Sequence, residues 1–574
     1  MANPPISLFS RCAAVSLAAV ILLSTGAFAA LPPCSLQAEK LWWETHPDPA
    51  GWFAAGDELE KTLVAGEAEI GLKNLGTHAD FAGWMLHLRW LRLFPKTWRE
   101  HEYYKNPPSW KTFAALGMNH AVRDLFLGSL APEDDPVAAA RILCAIAEAN
   151  PDGLRDYSRL AVAFAVVLDQ PPPAAWPHPF VDQKKIPFGD SDPVKRFAFY
   201  VECHRAGRLL HDPRHLGVRD LTWMVDSFVE LRELGYAQQV KLKQADRLAR
   251  LFASLKYDMH RIQGKLYQWQ GATYRLIDIG KGGGICMDLG YFVWQTGKSQ
   301  GIPTILFTGQ GLSGDHAWVG FLTAAGKWDF DLARIRQEKY PVGFTYDPQT
   351  WLSVTNAEVA AELEGVAANR GFGPADVFVQ WAALSSGRAV YPELLRLARA
   401  ARTRDVRIWR TEAEWLARSD VPPAERYTFW EAWTRAFFAS APLKIQGQLK
   451  MLAVLEEMGK QADADRLRAQ LTRENQSDRF DVSVSVVAQP ILENLRRRDW
   501  ERAEAGFLKA MDQLASSAGG HLFYSLVQPY VAACIKEGRM EMARRARPAL
   551  EHGFRAKPGT ILHNDIDELK ALIQ

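Results

Sequence analysis

Hydrophobic positions over most of the chain recur at the three- and four-residue spacing of an α-helix, as in 137–149. This pattern covers 36–168, returns from 194 to about 259, and runs from about 355 to the end. The prolines from Pro171 to Pro179 are incompatible with a helix interior and predict a loop or domain edge. The chain is therefore predicted to be mostly α-helical.

Between 280 and 334 the pattern changes. A glycine-rich approach leads to an amphipathic helix that begins at Cys286, and Gly301-Ile302-Pro303 ends this helix. Stretches in which apolar residues either run together or alternate with polar ones then predict three strands, at 304–308, 316–323 and 327–332. The predicted class is α+β: a central unit with a helix, a strand and a hairpin inside a mostly helical chain.

The C-terminal part shows a repeat built on small residues. Ala464, Ala503 and Ala543 follow similar polar and charged segments at spacings of 39 and 40 residues. These segments resemble the second half of a tetratricopeptide unit, although the spacing exceeds its usual period of about 34 residues. We predict a helical-repeat array, which serves either as a scaffold or as a peptide-binding groove.

The length of 574 residues is too great for one hydrophobic core. We predict four segments: a signal peptide (1–29), an N-terminal helical region (30–200), a central thiol domain (201–350) and the C-terminal array (351–574).

The N-terminus predicts export. Arg11 precedes a short apolar run, and Ala27-Phe28-Ala29 has the form of a signal-peptidase site. No later stretch is apolar enough to span a bilayer, so we expect a secreted or periplasmic protein without an integral membrane span.

Charge and cysteine content narrow the function classes. The 68 Lys and Arg residues nearly balance 66 Asp and Glu residues, which gives no footprint for nucleic acid. Five cysteines remain after signal removal, an odd and sparse set that excludes a disulfide scaffold. No His or Cys spacing suggests a zinc site, and we expect neither a metal nor a cofactor.

Cys286 has the setting that thiol catalysis requires. The thiolate is the nucleophile, and a helix N-terminus favours negative charge. The preceding glycines allow a tight turn and an approachable sulfur. His316, at the start of a predicted strand, is the candidate base.

Asp329 and Asp331 are the candidates for orienting the imidazole of His316. Both lie on the returning strand of the hairpin and, being two residues apart, share one face. Strand alternation therefore does not choose between them.

Four short motifs resemble the transglutaminase-like superfamily. They are Gly284-Ile285-Cys286, Gly301-Ile302-Pro303, His316-Ala317-Trp318 and Trp328-Asp329-Phe330-Asp331. The resemblance covers about fifty residues and implies a papain-like domain in which Cys286 is the nucleophile, His316 the general base and an aspartate the orienting group. In the superfamily the aspartate usually follows its tryptophan by four positions, whereas here the acids follow Trp328 by one and three. The offset from His316 favours Asp331.

The resemblance implies an enzyme that acts on amide bonds of a protein or peptide through a thioester. Water as acceptor makes it a protease or amidase, which we favour; an amine as acceptor makes it a cross-linking transferase. The alternative is a catalytically inactive envelope scaffold that binds a protein partner through its helical repeats.

Overall fold

The computed structural model describes residues 31–104, 107–189, 192–311, 314–335, 340, 342–368, 372–554, 556–558 and 560–573. The predicted signal peptide, 1–29, lies outside the described residues. The chain is mostly α-helical and carries one small antiparallel sheet, which confirms the α+β class at this level.

The α-helices before the sheet are α1 (Leu36–Thr45), α2 (Pro49–Ile70), α3 (Ala79–Leu91), α4 (Pro107–Met118), α5 (His120–Ser129), α6 (Pro136–Ala149), α7 (Pro151–Asp156), α8 (Ser158–Val167), α9 (Pro193–Arg205), α10 (Val218–Val225), α11 (Leu231–Ala237), α12 (Arg247–Ser254), α13 (Met259–Gln263), α14 (Leu276–Gly282) and α15 (Cys286–Ser299). Short 3₁₀ helices occupy Leu72–Thr77 and Gln183–Lys185.

Helix α6 shows how these elements are specified. The side chain of Asp135 accepts hydrogen bonds from the backbone amides of Val137 and Ala138, and Pro136 occupies the first helical turn. The apolar face that follows includes Leu143, which is fully buried. A capped start and one apolar face thus produce the helix that the spacing predicts.

The sheet contains β1 (Thr304–Gln310), β2 (Asp315–Ala324), β3 (Lys327–Leu332), β4 (Phe344–Tyr346) and β5 (Ser353–Thr355). Its strand order is β3-β2-β1-β4-β5, and all pairs are antiparallel. Strand β1 runs two residues beyond the predicted end at 308, because Gly309 pairs with His316 and Gln310 with Asp315. The predicted helix, strand and hairpin are all present in the expected order.

Helix α15 packs closely against the sheet because two of its positions lack a side chain. A Cβ at Gly290 would lie 2.7 Å from Leu306, and one at Gly297 would lie 2.4 Å from Thr304. Trp294 donates from its indole nitrogen to the carbonyl of Thr304 at 2.9 Å. This packing fixes the start of α15, and with it Cys286, relative to β1 and β2.

The α-helices after the sheet are α16 (Asn356–Ala368), α17 (Pro374–Leu384), α18 (Tyr391–Ala401), α19 (Val406–Arg418), α20 (Pro423–Ala436), α21 (Ala441–Glu457), α22 (Gln461–Asn475), α23 (Phe480–Arg496), α24 (Trp500–Leu522), α25 (Gln528–Lys536), α26 (Met540–Arg544), α27 (Arg547–His552) and α28 (Ile561–Leu572), with a π-helical segment at Phe523–Val527.

Helices α17 and α18 follow the predicted boundary at 351, yet they pack into the buried cluster of the N-terminal helices. The amide of Gln380 donates to the carbonyl of Leu127 at 2.8 Å. Arg388 forms an ion pair with Glu67 at 2.7 Å. Helices α17 and α18 therefore belong, by packing, with the N-terminal helices.

Three turns of the C-terminal array have one geometry. Gly459, Arg498 and Gly538 adopt positive φ angles of 68°, 62° and 70°. In each turn the next residue donates its backbone amide to a carbonyl five positions earlier, at 2.8 to 2.9 Å. Such left-handed turns end helices and start the next. The alanines at 464, 503 and 543 are fully buried after these turns, so the sequence repeat corresponds to a structural repeat.

The last helix, α28, returns to the central part of the chain. The ammonium group of Lys265 lies 2.8 Å from Asp565 and 2.7 Å from Glu568. Tyr524 also donates to Asp565, at 2.7 Å. The array therefore contacts the domain of Cys286 at its far end as well as at its covalent start.

Within the described residues, no helix combines the length and hydrophobicity that crossing a bilayer requires.

Candidate active site

Cys286 is the first residue of α15, and its side chain is half-buried. The backbone segment that leads into Cys286 requires glycine. Gly283 has a φ of 79°, and a Cβ there would lie 2.0 Å from the carbonyl oxygen of Lys256. The predicted role of the glycines, a tight turn into the helix, agrees with this geometry.

The glycine approach also brings in a distant segment. The amide of Gly284 donates to Lys256 at 3.1 Å, and the amide of Asp258 donates back to Gly284 at 2.9 Å. Tyr257, between these two residues, is thereby held against Cys286. The residue is 38 % exposed, and its hydroxyl hydrogen-bonds to Cys286.

The side chain of Asp288 forms the hydrogen bonds that hold the start of α15 in place. Its carboxylate accepts from the backbone amide of Ile285 at 2.9 Å, which caps α15. It also accepts from Tyr274 at 2.9 Å and pairs with Arg261 at 2.7 Å. Asp288 is fully buried and the guanidinium of Arg261 compensates its charge, so the position of Cys286 rests on a buried ion pair.

A hydrogen-bond chain extends from Asp288 to His178. Tyr274 donates to Asp288, so its oxygen accepts from Nε2 of His178 at 2.8 Å. The Nδ1 atom of His178 accepts from the amide of Phe180 at 3.3 Å. Burial lowers the pKa of His178 to about 3, and the ring is neutral at physiological pH. The proline-rich loop that carries His178 is thus connected by hydrogen bonds to Asp288 at the start of α15.

The Cys286 thiol is protonated at neutral pH. Burial raises its pKa and is the largest influence. Hydrogen bonds from the backbone amide of Ala317, the hydroxyl of Tyr257 and the backbone amide of Met287 act in the opposite direction. The backbone amide of Cys286 itself donates to the Tyr257 hydroxyl. A base is therefore needed to generate the thiolate.

His316 is the candidate base, and it lies on β2. It directly precedes Ala317, the residue whose amide bonds to Cys286. Its Nε2 lies 2.8 Å from the carbonyl oxygen of Ala333. A carbonyl only accepts, so Nε2 carries the hydrogen and Nδ1 of the neutral ring keeps its lone pair. Burial lowers the pKa of His316, which favours this neutral form.

Among the described contacts, no direct hydrogen bond joins the thiol of Cys286 to the imidazole of His316. Instead, Tyr340 lies beside the imidazole, with ring centroids 5.8 Å apart. The structure thus places His316 one residue before Ala317, whose amide acts on Cys286, and the pairing of thiol and imidazole stays a prediction.

The two predicted orienting acids do not contact His316. Asp329 and Asp331 share a face of β3, as strand alternation predicts, but that face is exposed. Asp329 accepts from the backbone amide of Asp331 at 2.8 Å, and Asp331 pairs with Arg334 at 3.0 Å. The prediction that one of them holds the imidazole finds no support in these contacts.

The strand register explains this difference. The pairing of β2 with β3 reaches only to Val319 and Leu332, and a bulge interrupts it between Val319 and Phe321. His316 lies three residues beyond this end. The group that reaches its imidazole therefore comes from the segment after β3, at Ala333, which has a φ of 65°.

Three of the contributing residues had no signal in the sequence. Tyr257, Arg261 and Ala333 reach the site through long-range pairing, a buried ion pair and a backbone carbonyl. Two aromatic residues upstream of Cys286 are engaged in other bonds: the indole of Trp269 donates to the carbonyl of Thr273, and the hydroxyl of Tyr274 donates to Asp288. The described residues contain no cluster of His, Cys, Asp and Glu that could hold a metal ion.

No protein-family model matches the chain, and no curated protein or solved structure matches it at a significant level. The resemblance to the transglutaminase-like superfamily accordingly rests on the motif residues and stays a prediction.

Proposed function

We propose that this protein is an exported thiol enzyme that acts on amide bonds, with Cys286 as nucleophile and His316 as general base. The observation that carries the proposal is the position of Cys286 at the N-terminus of α15, where the Ala317 amide of β2 lowers the pKa of its thiol. The residue before Ala317 on β2 is His316, whose lowered pKa favours the neutral imidazole. The Nδ1 lone pair of that histidine is the form that a base requires.

The reaction follows from these groups. His316 takes the thiol proton as the sulfur of Cys286 attacks the amide carbonyl. The C–N bond breaks, the proton passes to the leaving amine, and an acyl thioester remains. Water then attacks the thioester, His316 takes one of its protons and returns it to the sulfur, and a carboxylic acid is released. The backbone amide of Cys286 is the donor available for the developing oxyanion, once the hydroxyl of Tyr257 gives way.

The decisive experiment is labelling of the mature chain with a fluorescent peptidyl acyloxymethyl ketone. We expect one labelled site, lost in Cys286→Ala and reduced at least about a hundredfold in His316→Ala. Cys34→Ala is the matched control, because Cys34 is the other half-buried thiol and its pKa is raised by burial and by Glu39. Equal labelling of wild type and Cys286→Ala would refute the proposal.

The acceptor is a separate question. Release of free carboxylic acid from a labelled peptide supports a hydrolase, which we favour. Incorporation of a fluorescent primary amine into a protein substrate supports a transferase.

A second function, an inactive scaffold, is favoured by one observation. Among the described contacts the thiol and the imidazole share no hydrogen bond; the hydroxyl of Tyr257 is the group that bonds to Cys286. If this reading holds, alkylation of Cys286 proceeds at the same rate in wild type and His316→Ala across the neutral range. A rate that falls in His316→Ala excludes it.

A further inference from the structure

The repeat array contains a groove between α20, α21 and α22 with a volume of about 900 Å³. Its lining includes the side chains of Tyr427, Met451 and Leu467. Phe438 also lines the groove and is 73 % exposed. A large exposed aromatic residue beside apolar side chains is typical of a binding surface.

The rim of this groove is basic. Four basic side chains and two acidic ones line it. Both acids are already paired on their own helix, Glu431 with Arg435 at 2.8 Å and Asp463 with Arg466. The basic surplus is Lys444 and Lys460. Lys444 has one carboxylate partner, at 3.5 Å, and lies 5.6 Å from the ring centroid of Phe438.

These two lysines stand at opposite ends of α21. The helix from Lys444 to Met458 spans about 21 Å at a rise of roughly 1.5 Å per residue. Lys460 follows two residues later, after Gly459. The backbone positions of the two lysines are therefore about 20 Å apart. An occupant that uses both lysines needs an anionic group near each of its ends, with apolar groups between them.

A residue that lines the same groove carries a buried acceptor without a partner. Gln448 is only 6 % exposed and lines the groove. Among the described residues, its Oε1 has no hydrogen-bond partner. An unsatisfied buried acceptor costs about 1–3 kcal/mol, which a ligand N–H group would recover.

We propose that this groove binds an extended peptide segment of a partner protein, with acidic residues at both ends of an apolar centre. The extended form follows from Gln448, because a helix uses its own amides internally, whereas an extended chain has free N–H groups to donate. At roughly 3.3 Å per residue, the distance between the lysines corresponds to about seven residues. This partner site is independent of the chemistry at Cys286.

The test begins with selection from a random peptide display library on the full mature chain. We expect the enriched peptides to be acidic with an apolar centre, and to bind in fluorescence anisotropy at least tenfold more tightly than twins with lysines at the acidic positions. The variant Lys444→Glu with Lys460→Glu should weaken this binding at least tenfold. The matched control, Lys509→Glu with Lys536→Glu, changes net charge equally outside the groove and should bind normally.

The variant Gln448→Leu distinguishes a loss of peptide binding from a loss of folding stability. It removes the unsatisfied acceptor, so the Tm should stay unchanged or rise while peptide affinity falls. The proposal is overturned by a lack of enrichment, by enrichment of neutral or basic peptides, or by equal affinity for the wild type and the Lys444→Glu, Lys460→Glu variant. If the wild-type chain dimerises and the Lys444→Glu, Lys460→Glu variant does not, the occupant is a second copy of the chain. That result would also overturn the proposal.

Discussion

The imidazole of His316 is held by the carbonyl oxygen of Ala333, at 2.8 Å from Nε2. A backbone carbonyl fixes the tautomer as a carboxylate would, but it carries no full charge to stabilise the imidazolium. The site thus combines the tautomer of a general base with a lowered pKa of His316.

This relationship predicts that the two aspartates of β3 are dispensable. Asp329→Asn and Asp331→Asn should each keep the rate of Cys286 labelling within about twofold, because neither carboxylate contacts the imidazole. His316→Ala, measured in parallel, should lose at least about a hundredfold. A comparable loss in either aspartate variant would show that the working site differs from the structure.

The hydroxyl of Tyr257 should lower the pKa of the Cys286 thiol. Its hydrogen bond lowers the pKa of Cys286, so Tyr257→Phe should raise that pKa, by up to about one unit. The rate of iodoacetamide labelling as a function of pH measures this as an upward shift of the midpoint. Tyr346→Phe, at an exposed tyrosine on β4, is the control and should show no shift.

His178 should make the fold acid-sensitive. Its pKa is about 3 in the folded chain and about 6.5 when unfolded, so the unfolded chain binds an extra proton below pH 6.5. Stability from this group is present above pH 6.5 and is lost as the pH falls toward 3. Between pH 6.5 and 5, the wild type should lose about 1.5 kcal/mol more than His178→Gln in urea unfolding. Parallel curves for both proteins would contradict the buried neutral histidine.

Arg498 occupies a left-handed position that its two counterparts fill with glycine. Arg498→Gly should therefore raise the free energy of unfolding by about 0.5–1 kcal/mol, since its ion pair with Glu537 is exposed and long at 3.5 Å. The reverse changes, Gly459→Arg and Gly538→Arg, meet open space and should destabilise by a similar amount. Urea unfolding of the three variants measures these differences, and destabilisation by Arg498→Gly would show that its side chain has another role.

The sequence was sufficient for the local elements around Cys286. Periodicity and glycine placement predicted α15, β1 and the hairpin, because each depends on residues close together in the chain. The repeat of small alanines likewise predicted a helical array, and the three equivalent turns follow its spacing.

The group that orients His316 and the contact of Tyr257 with Cys286 could not be predicted in the same way. Alternation placed Asp329 and Asp331 on one face, but the bulge and the early end of the β2–β3 pairing decided what reaches His316. Tyr257 arrives through pairing with Gly284, about 27 residues away, for which no local pattern exists. Backbone carbonyls such as that of Ala333 carry no residue-specific signal at all.

The contact of Lys265 with Asp565 and Glu568 gives the repeat array two attachments of different kinds. The first is the covalent chain, which ionic strength does not affect. The second consists of ion pairs with partly exposed groups, each worth at most about 1 kcal/mol. Salt screens only the second, so a rise in ionic strength weakens the ion pairs of Lys265 and leaves the chain connection unchanged.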